Sequence, residues 1–363
     1  MGSSLLCPSS SASILLRMKS QTQLGPRFSI PNLNRGKIER RNLFSSPSRV
    51  TSVRALLKGT QYARIGAEST GPIPAKELLG VVELAAKTGS EVVMEAVNKP
   101  RNIMFKQGKS DLVTETDKMS EASILKVVNG NFKDHLILGE EGGLLGDVAS
   151  DYLWCIDPID GTTNFAHGYP SFAVSVAVLF RGRPAAACVV EFVGGPMCWN
   201  TRTFSASAGG GTFCNGQKIQ VSQTNKVEDS LLVTGFGYDH DDAWLANINL
   251  FKEFTDISRG VRRLGAAAVD MSHVALGISE SYWEYRLKPW DVAAGVLIVE
   301  EAGGTVTCMD GEAFSVFDRS CLVSNGSIHG ELLERIGPAT KKLMKNGIDF
   351  SPWFKPEEYA TDF

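Results

Sequence analysis

The chain is poor in the residues that most metal and redox chemistries use. Its 363 residues include five histidines (His135, His167, His240, His273, His329) with no HxxxH pair, and seven cysteines with no CxxC pair. A zinc site of nitrogen and sulfur ligands is therefore not signalled, and each histidine reads as structural. The cysteines fall mostly in apolar, strand-like segments, where a free thiol behaves as a small buried hydrophobe. That argues for a reducing compartment without a disulfide framework, with a regulatory thiol pair as the alternative. No apolar run reaches the roughly 18 residues a membrane helix needs, so no membrane partner is expected. Gly209-Gly210-Gly211 has neither a P-loop lysine nor GxGxxG spacing and reads as a turn between strands. No internal repeat appears.

Acids are scarce in one place only. Residues 1–60 hold ten Lys/Arg, twelve Ser and the single acid Glu39, whereas the rest of the chain holds 27 basic against 39 acidic residues, a formal −12. A basic, serine-rich, acid-poor leader without a continuous apolar core has the composition of an organelle transit peptide, here plastidic, with cleavage near Val53-Arg54-Ala55. A basic arm that contacts nucleic acid is the alternative. The acidic body would repel a phosphate backbone, so no nucleic-acid partner is expected.

Beyond the leader, 43% apolar content supports a large core. After Pro72 and Pro74, Leu78, Val82, Ala85, Gly89, Val92 and Ala96 share a helical face. A turn at 109–111 feeds a second helix to about Val128, with Thr116 or Asp117 as its cap. His135 and the residues to Gly139 read as a strand opening onto Glu140-Glu141-Gly142, and 152–156 as a strand opening onto Asp157. Segments 172–180 and 185–192 form a hairpin around Arg181-Gly182-Arg183-Pro184, and Asn215-Gly216 favours a type I′ turn. Past Asn225, helix and strand alternate: helix 242–255, strand 261–264, helix 266–276, strand 281–285, a helix over 290–302 apolar nearly all round, and strand 305–308 after Gly303-Gly304. The expected organisation is a leader over 1–60, a strand-rich part over 61–224 and an alternating part over 225–363. The last segment, with Trp353 and Phe354, says little.

The chemistry concentrates in Asp157-Pro158-Ile159-Asp160-Gly161-Thr162-Thr163-Asn164-Phe165. Pro158 cannot donate to a strand ladder and is expected to stop the strand, turning Asp157, Asp160 and the Ile159 carbonyl toward one point. Gly161 and Thr162 then open a helix whose free N–H groups suit an anion. Strand ends in a layered sheet can bring Glu140 to the same crevice. Crowded carboxylates raise one another's pKa, and oxygen ligands without His or Cys select Mg²⁺, Ca²⁺ or Mn²⁺. A cation beside an anion cradle reads as phosphoryl chemistry. An Asp-Gly turn with a capped helix accounts for the same residues without any ligand.

The segments Asp111-Leu-Val-Thr-Glu-Thr-Asp117, Gly139-Glu-Glu141, Asp157 to Phe165, and Trp290-Asp-Val-Ala-Ala-Gly295 followed by Glu301-Ala-Gly-Gly304 resemble, in order and spacing, the signatures of the inositol monophosphatase family, and with the leader its chloroplast branch. The resemblance implies an α/β (α+β) fold, the layered α-β-α-β-α sandwich shared with fructose-1,6-bisphosphatase, usually dimeric. It implies a Mg²⁺-dependent, lithium-sensitive phosphatase of a small phosphorylated polyol, myo-inositol monophosphate foremost, in the chloroplast stroma. By resemblance Glu140, Asp157, the Ile159 carbonyl, Asp160 and Asp291 hold two or three Mg²⁺ ions, and Glu140 also serves catalysis. Asp117 and Thr162 position and activate the attacking water. Gly161, Thr162 and Thr163 hold the phosphate, and Ala267 and Glu284 face the substrate. Histidinol phosphate, galactose 1-phosphate, a sugar bisphosphate or a phosphoadenosine nucleotide are alternative substrates; a non-catalytic subunit of a plastid complex is the alternative from another class. Gly142 departs from the family, where Ser or Thr commonly follows the two glutamates.

Overall fold

Three apolar clusters separated by two sheets organise the chain. The computed structural model describes residues 62–100, 103–105 and 112–362; the leader and the turn expected at 109–111 lie outside the described residues. Helix α1 (Ala75–Ala96) is followed by a two-stranded ribbon, β1 (Ile103–Phe105) with β2 (Leu112–Thr114), and by helix α2 (Glu115–Asn131). Strands β3 (Leu136–Gly139), β4 (Gly143–Leu145), β5 (Tyr152–Asp160), β6 (Phe172–Phe180), β7 (Arg183–Val193), β8 (Asn200–Ser207), β9 (Gly211–Cys214) and β10 (Gln217–Lys218) form one sheet, and short helix α3 (Thr162–His167) links β5 to β6. The sheet order is β10-β9-β8-β7-β6-β5-β3-β4, antiparallel except where β3 runs parallel to β5.

The second sheet comprises β11 (Leu231–Thr234), β12 (Gly260–Arg262), β13 (Ser281–Tyr285), β14 (Thr305–Thr307) and β15 (Ser320–Ser324), ordered β12-β11-β13-β15-β14. Helices α4 (Asp242–Ile257), α5 (Ala267–Ala275), α6 (Pro289–Glu301) and α7 (His329–Lys345), with a 3₁₀ turn at Val227–Asp229, complete the described elements. Helices α1 and α2 cover the outer face of the large sheet, α5 and α6 lie between the sheets, and α4 and α7 cover the small sheet's other face. The fold is the layered α-β-α-β-α sandwich.

Alternation of side chains along each strand builds these layers. On β5, Tyr152, Trp154 and Ile156 face the α1/α2 cluster while Leu153 and Cys155 face the centre; on β13, Tyr282 faces the centre and Trp283 and Tyr285 the outer helices. Helix α6 is buried from Val292 to Val299, which its lack of a polar face anticipates. Burying each large side chain contributes about 1.5–3 kcal/mol. Among the described residues no helix is long and apolar enough to cross a membrane.

Local expectations were met unevenly. Asn215 and Gly216 take φ values of +49° and +77°, as a type I′ turn demands. Gly209 to Gly211 joins β8 to β9 and donates two amides to the Glu301 carboxylate. The loop of the β6–β7 hairpin is shorter than expected: only Arg181-Gly182 turns, at φ +47° and +86°, and Pro184 sits inside β7 at a register shift, where its missing N–H breaks no ladder. Pro158 likewise does not end its strand. Asp157 pairs with Ser175 and Asp160 with Ala173, so β5 carries one extra residue across that step, a bulge that absorbs the proline. The cap of α2 is Thr114, not Thr116 or Asp117; Asp117 is the third residue of a capping box.

A candidate active site of buried carboxylates

The bulge after Asp157 re-aims the end of β5. Ile159 donates its N–H to Asp157 Oδ1 at 3.0 Å, and Asp160 emerges one step later with both oxygens against the start of α5: Ala267 N at 3.1 Å and Ala268 N at 2.6 Å. A helix N-terminus compensates a carboxylate through unsatisfied donors and its dipole. Gly161 follows at φ +88°, ψ 41° as the N-cap of α3. A Cβ there would lie 2.9 Å from the Ser171 carbonyl and 3.1 Å from the Ala266 Cβ, so both conformation and space require glycine. Gly161→Ala is expected to cost about 1–3 kcal/mol in a urea melt and to lower turnover by displacing Thr162; wild-type stability would contradict this account of the turn.

Thr162 joins the bulge to α2. Its hydroxyl lies 3.1 Å from Asp117 Oδ1 and 3.1 Å from the Ile159 carbonyl, and its single proton serves one of them at a time. The other Asp117 oxygen accepts from Thr114 N at 2.8 Å and from the Thr114 hydroxyl. Asp117 is thus buried, oriented and in contact with Thr162. Thr163 is exposed beside it, and Asn164 ties α3 to the chain ahead of α5 by donating to Ser171 O (2.6 Å) and Leu264 O (2.7 Å).

Two loops bring the remaining acids. Glu140 follows β3 and is held to β5 by its own N–H on Ile156 O at 3.1 Å. Its loop is fixed by Glu121 of α2, whose carboxylate accepts from Glu141 N (2.9 Å) and Gly142 N (2.6 Å). A Cβ on Gly142 would stand 2.8 Å from Glu121 Oε1, so glycine here makes room for this buried acid. Asp291, in the first turn of α6, accepts from Lys288 N at 2.8 Å. Glu284 on β13 takes the Tyr282 hydroxyl, and a Cβ on Gly235 would collide with its carboxylate.

Burial is the first cause that raises Asp157, Asp160, Asp117 and Glu284. Asp157 is pushed well above the ordinary carboxylate range by burial, then by Glu140, Asp160 and Asp291. Burial, then Asp291, raises Asp160 to about 8 despite its two amide partners. Asp117 rises to about 6 by burial against its Thr114 bonds, and Glu284 to about 7 by burial, partly offset by Tyr282. These mutual effects place Glu140, Asp157, Asp160 and Asp291 in one electrostatic neighbourhood, with Asp117 and Glu284 at its edges. Asp270 of α5 adds a buried carboxyl whose two oxygens have no hydrogen-bond partner among the described residues; burial, then Asp160, raises it strongly.

No cluster of three His, Cys, Asp or Glu among the described residues encloses a single point tightly enough to cage an ion as it stands. The residues nevertheless fit a hard divalent cation: the acids here offer only oxygens, and the mutual repulsion that helps lift Asp157 and Asp160 is what such a cation would relieve.

Sequence reasoning missed Thr114, Glu121, Asn164, Tyr282 and Asp270. Glu121 carried a signal, since it falls with Asp117, Ile124 and Val128 on the buried face of α2, where an acid needs a partner.

A layered sandwich with a buried oxygen-only acid centre defines a hydrolase class suited to phosphate esters. Residues 75–345 match the inositol monophosphatase family, and the chain belongs to it. It is 74% identical over 324 residues to phosphatase IMPL1, chloroplastic, of Arabidopsis thaliana, covering 88% of this chain and 87% of that one. It is 40% identical over 254 residues to inositol-1-monophosphatase of Synechocystis, covering 70% and 86%. Among solved structures, the inositol monophosphatase of Anabaena superposes with a TM-score of 0.63 at 37% identity, over 74% of this chain and 96% of that one. The protein is accordingly a phosphatase of this family, a phosphoric monoester hydrolase.

Proposed function

We propose that the protein hydrolyses the monophosphate of a small polyol, myo-inositol monophosphate foremost, using Mg²⁺ in the chloroplast stroma and working as a homodimer. The observation that carries this reading is the contact between Thr162 and Asp117 at the edge of the buried acids. Glu140, Asp157, the Ile159 carbonyl, Asp160 and Asp291 would hold two or three Mg²⁺ ions; bound there, they supply Lewis acidity and offset the carboxylate charge.

The chain's own groups do the rest. With the Thr162 hydroxyl hydrogen-bonded to Asp117, the Thr162 oxygen offers a lone pair to the attacking water. As the water's proton passes to that oxygen, the Thr162 proton passes to Asp117, so a single proton reaches the carboxylate. The water oxygen bonds to phosphorus and the P–O bond to the alcohol breaks, the alkoxide leaving to be protonated from solvent. A carboxyl held near 6 is poised to accept that one proton at neutral pH. Gly161, Thr162 and Thr163 hold the phosphoryl oxygens through amides and hydroxyls at the start of α3. Glu284 meets the alcohol: Tyr282 occupies one of its oxygens, and the other accepts from a substrate hydroxyl, with Ala267 beside it.

The basic, acid-poor leader and the chloroplastic relative support plastid import. A panel of myo-inositol monophosphate, histidinol phosphate, galactose 1-phosphate and fructose 1,6-bisphosphate, ranked by kcat/KM with Mg²⁺ and with added Li⁺, tests the assignment. Inositol monophosphate is expected to lead and Li⁺ to inhibit. Preference for another ester would reassign the substrate, and turnover without any divalent cation would end the metal reading.

A further inference from the structure

The segment after α7 crosses back over the molecule, beyond residues 75–345 that match the family. It is anchored at two places. Tyr359 is 2% exposed, accepts from Gly182 N at 3.0 Å and donates to the Asp151 carbonyl at 3.2 Å. Trp353 donates its N–H to Phe317 O at 2.9 Å and lies under the Arg319 guanidinium, 4.8 Å from the ring centroid. Phe354 meets Trp290 edge-on, with centroids 5.0 Å apart.

The indole of Trp353 donates Nε1–H to the Leu287 carbonyl at 2.9 Å, while Lys288 N–H, the other end of the same peptide, donates to Asp291 Oδ2 at 2.8 Å. A peptide is a rigid plane, so a bond that fixes its oxygen also fixes the direction of its N–H. A donor at the carbonyl further polarises that N–H. Pro289 follows, which confines Lys288 to the extended conformation seen, φ −97° and ψ 163°. The indole, the peptide and the carboxylate therefore form one chain of hydrogen bonds running from the C-terminal tail to Asp291.

We propose that Trp353 is a positioning residue for Asp291, and that through it the C-terminal tail sets the affinity of the cation site. This rests on the reading of Asp291 as a cation ligand. Partners one step behind a metal ligand typically change affinity 10- to 100-fold, and an effect relayed through a peptide belongs at the lower end, about tenfold.

The test is Mn²⁺ binding to the metal-free full chain, read by electron paramagnetic resonance of free Mn²⁺. Trp353→Phe, which keeps an aromatic ring and removes the donor, is expected to weaken Mn²⁺ binding about tenfold while the metal-free melting temperature stays near wild type. Phe354→Leu, which leaves the indole bond in place, should retain wild-type affinity. Unchanged Mn²⁺ affinity in Trp353→Phe alongside weakened binding in Asp291→Asn would overturn the positioning role alone. Unchanged binding in Asp291→Asn would overturn the ligand reading and the proposal with it. If Trp353→Phe fails to fold, incorporation of 3-benzothienylalanine at position 353, which keeps the indole shape without its N–H, is measured instead against the same outcomes.

Discussion

Asp157→Asn and Asp291→Asn are each expected to lower kcat on inositol monophosphate by about a thousandfold or more, equivalent to roughly 4 kcal/mol of lost transition-state stabilisation. The same substitutions should leave the metal-free protein folded, and Asp157→Asn should stabilise it at neutral pH. Asp157 is buried beside Glu140, Asp160 and Asp291, and each raises the cost of its charge. An amide of the same shape is neutral without the proton uptake that Asp157 needs on folding at neutral pH, and it keeps an acceptor for Ile159 N. Strain of this kind is held at sites because function needs it. Steady-state kinetics with excess Mg²⁺, paired with thermal melts in chelator, read both effects. Near-wild-type turnover in both variants would sink the assignment of these acids to the reaction.

The metal-free protein is expected to lose stability as pH rises from about 6.5 to 8.5, and excess Mg²⁺ to reverse that trend. Glu284 near 7, Asp160 near 8 and the strongly raised Asp157 keep protons in the folded state that the unfolded chain has already released near pH 4. A raised folded pKa means stability present below the unfolded value and lost as pH climbs through the folded one. Each retained proton costs about 1.4 kcal/mol per pH unit over that interval. Buried His135 and His329, lowered to about 4 and about 3, act in the opposite sense but only below their ordinary value of 6.5, outside the window, and the thiols that burial raises from 9.0 add to the loss only toward its upper end. Cation binding requires deprotonated ligands, so the Mg²⁺-induced rise in melting temperature should grow with pH. A melting temperature in chelator that is flat or rising across the window would show that these acids are already compensated.

Much of the architecture was legible as periodicity. The continuous apolar runs of β5 and β6, the nearly all-round apolar surface of α6 and the Asn215-Gly216 turn are local properties, and the structure reproduces them. The errors were also local in form but tertiary in cause. Pro158 looked like a strand terminator because its missing N–H is costly in a ladder, yet an extra residue opposite β6 removes the need for that bond. Thr116 and Asp117 looked like caps because both types cap well; the pairing of β2 with β1 carries the chain to Thr114 before the helix starts, and Asp117 is left to answer it from the first turn.

By itself, the sequence determined the chemistry available to this protein: acids with no paired histidine or cysteine motif beside them, a proline-bearing acid pair ahead of a glycine, and a distant Trp-Asp helix start that matches one family. Only the tertiary structure decided how each acid is held. Asp160 rests on the amides of Ala267 and Ala268, the Glu140 loop on Glu121, and Asp291 on a peptide braced by Trp353. The physical reason is that most of these partners are backbone N–H and C=O groups, which every residue carries. Their identity leaves no mark in the sequence until folding brings distant segments within hydrogen-bonding distance.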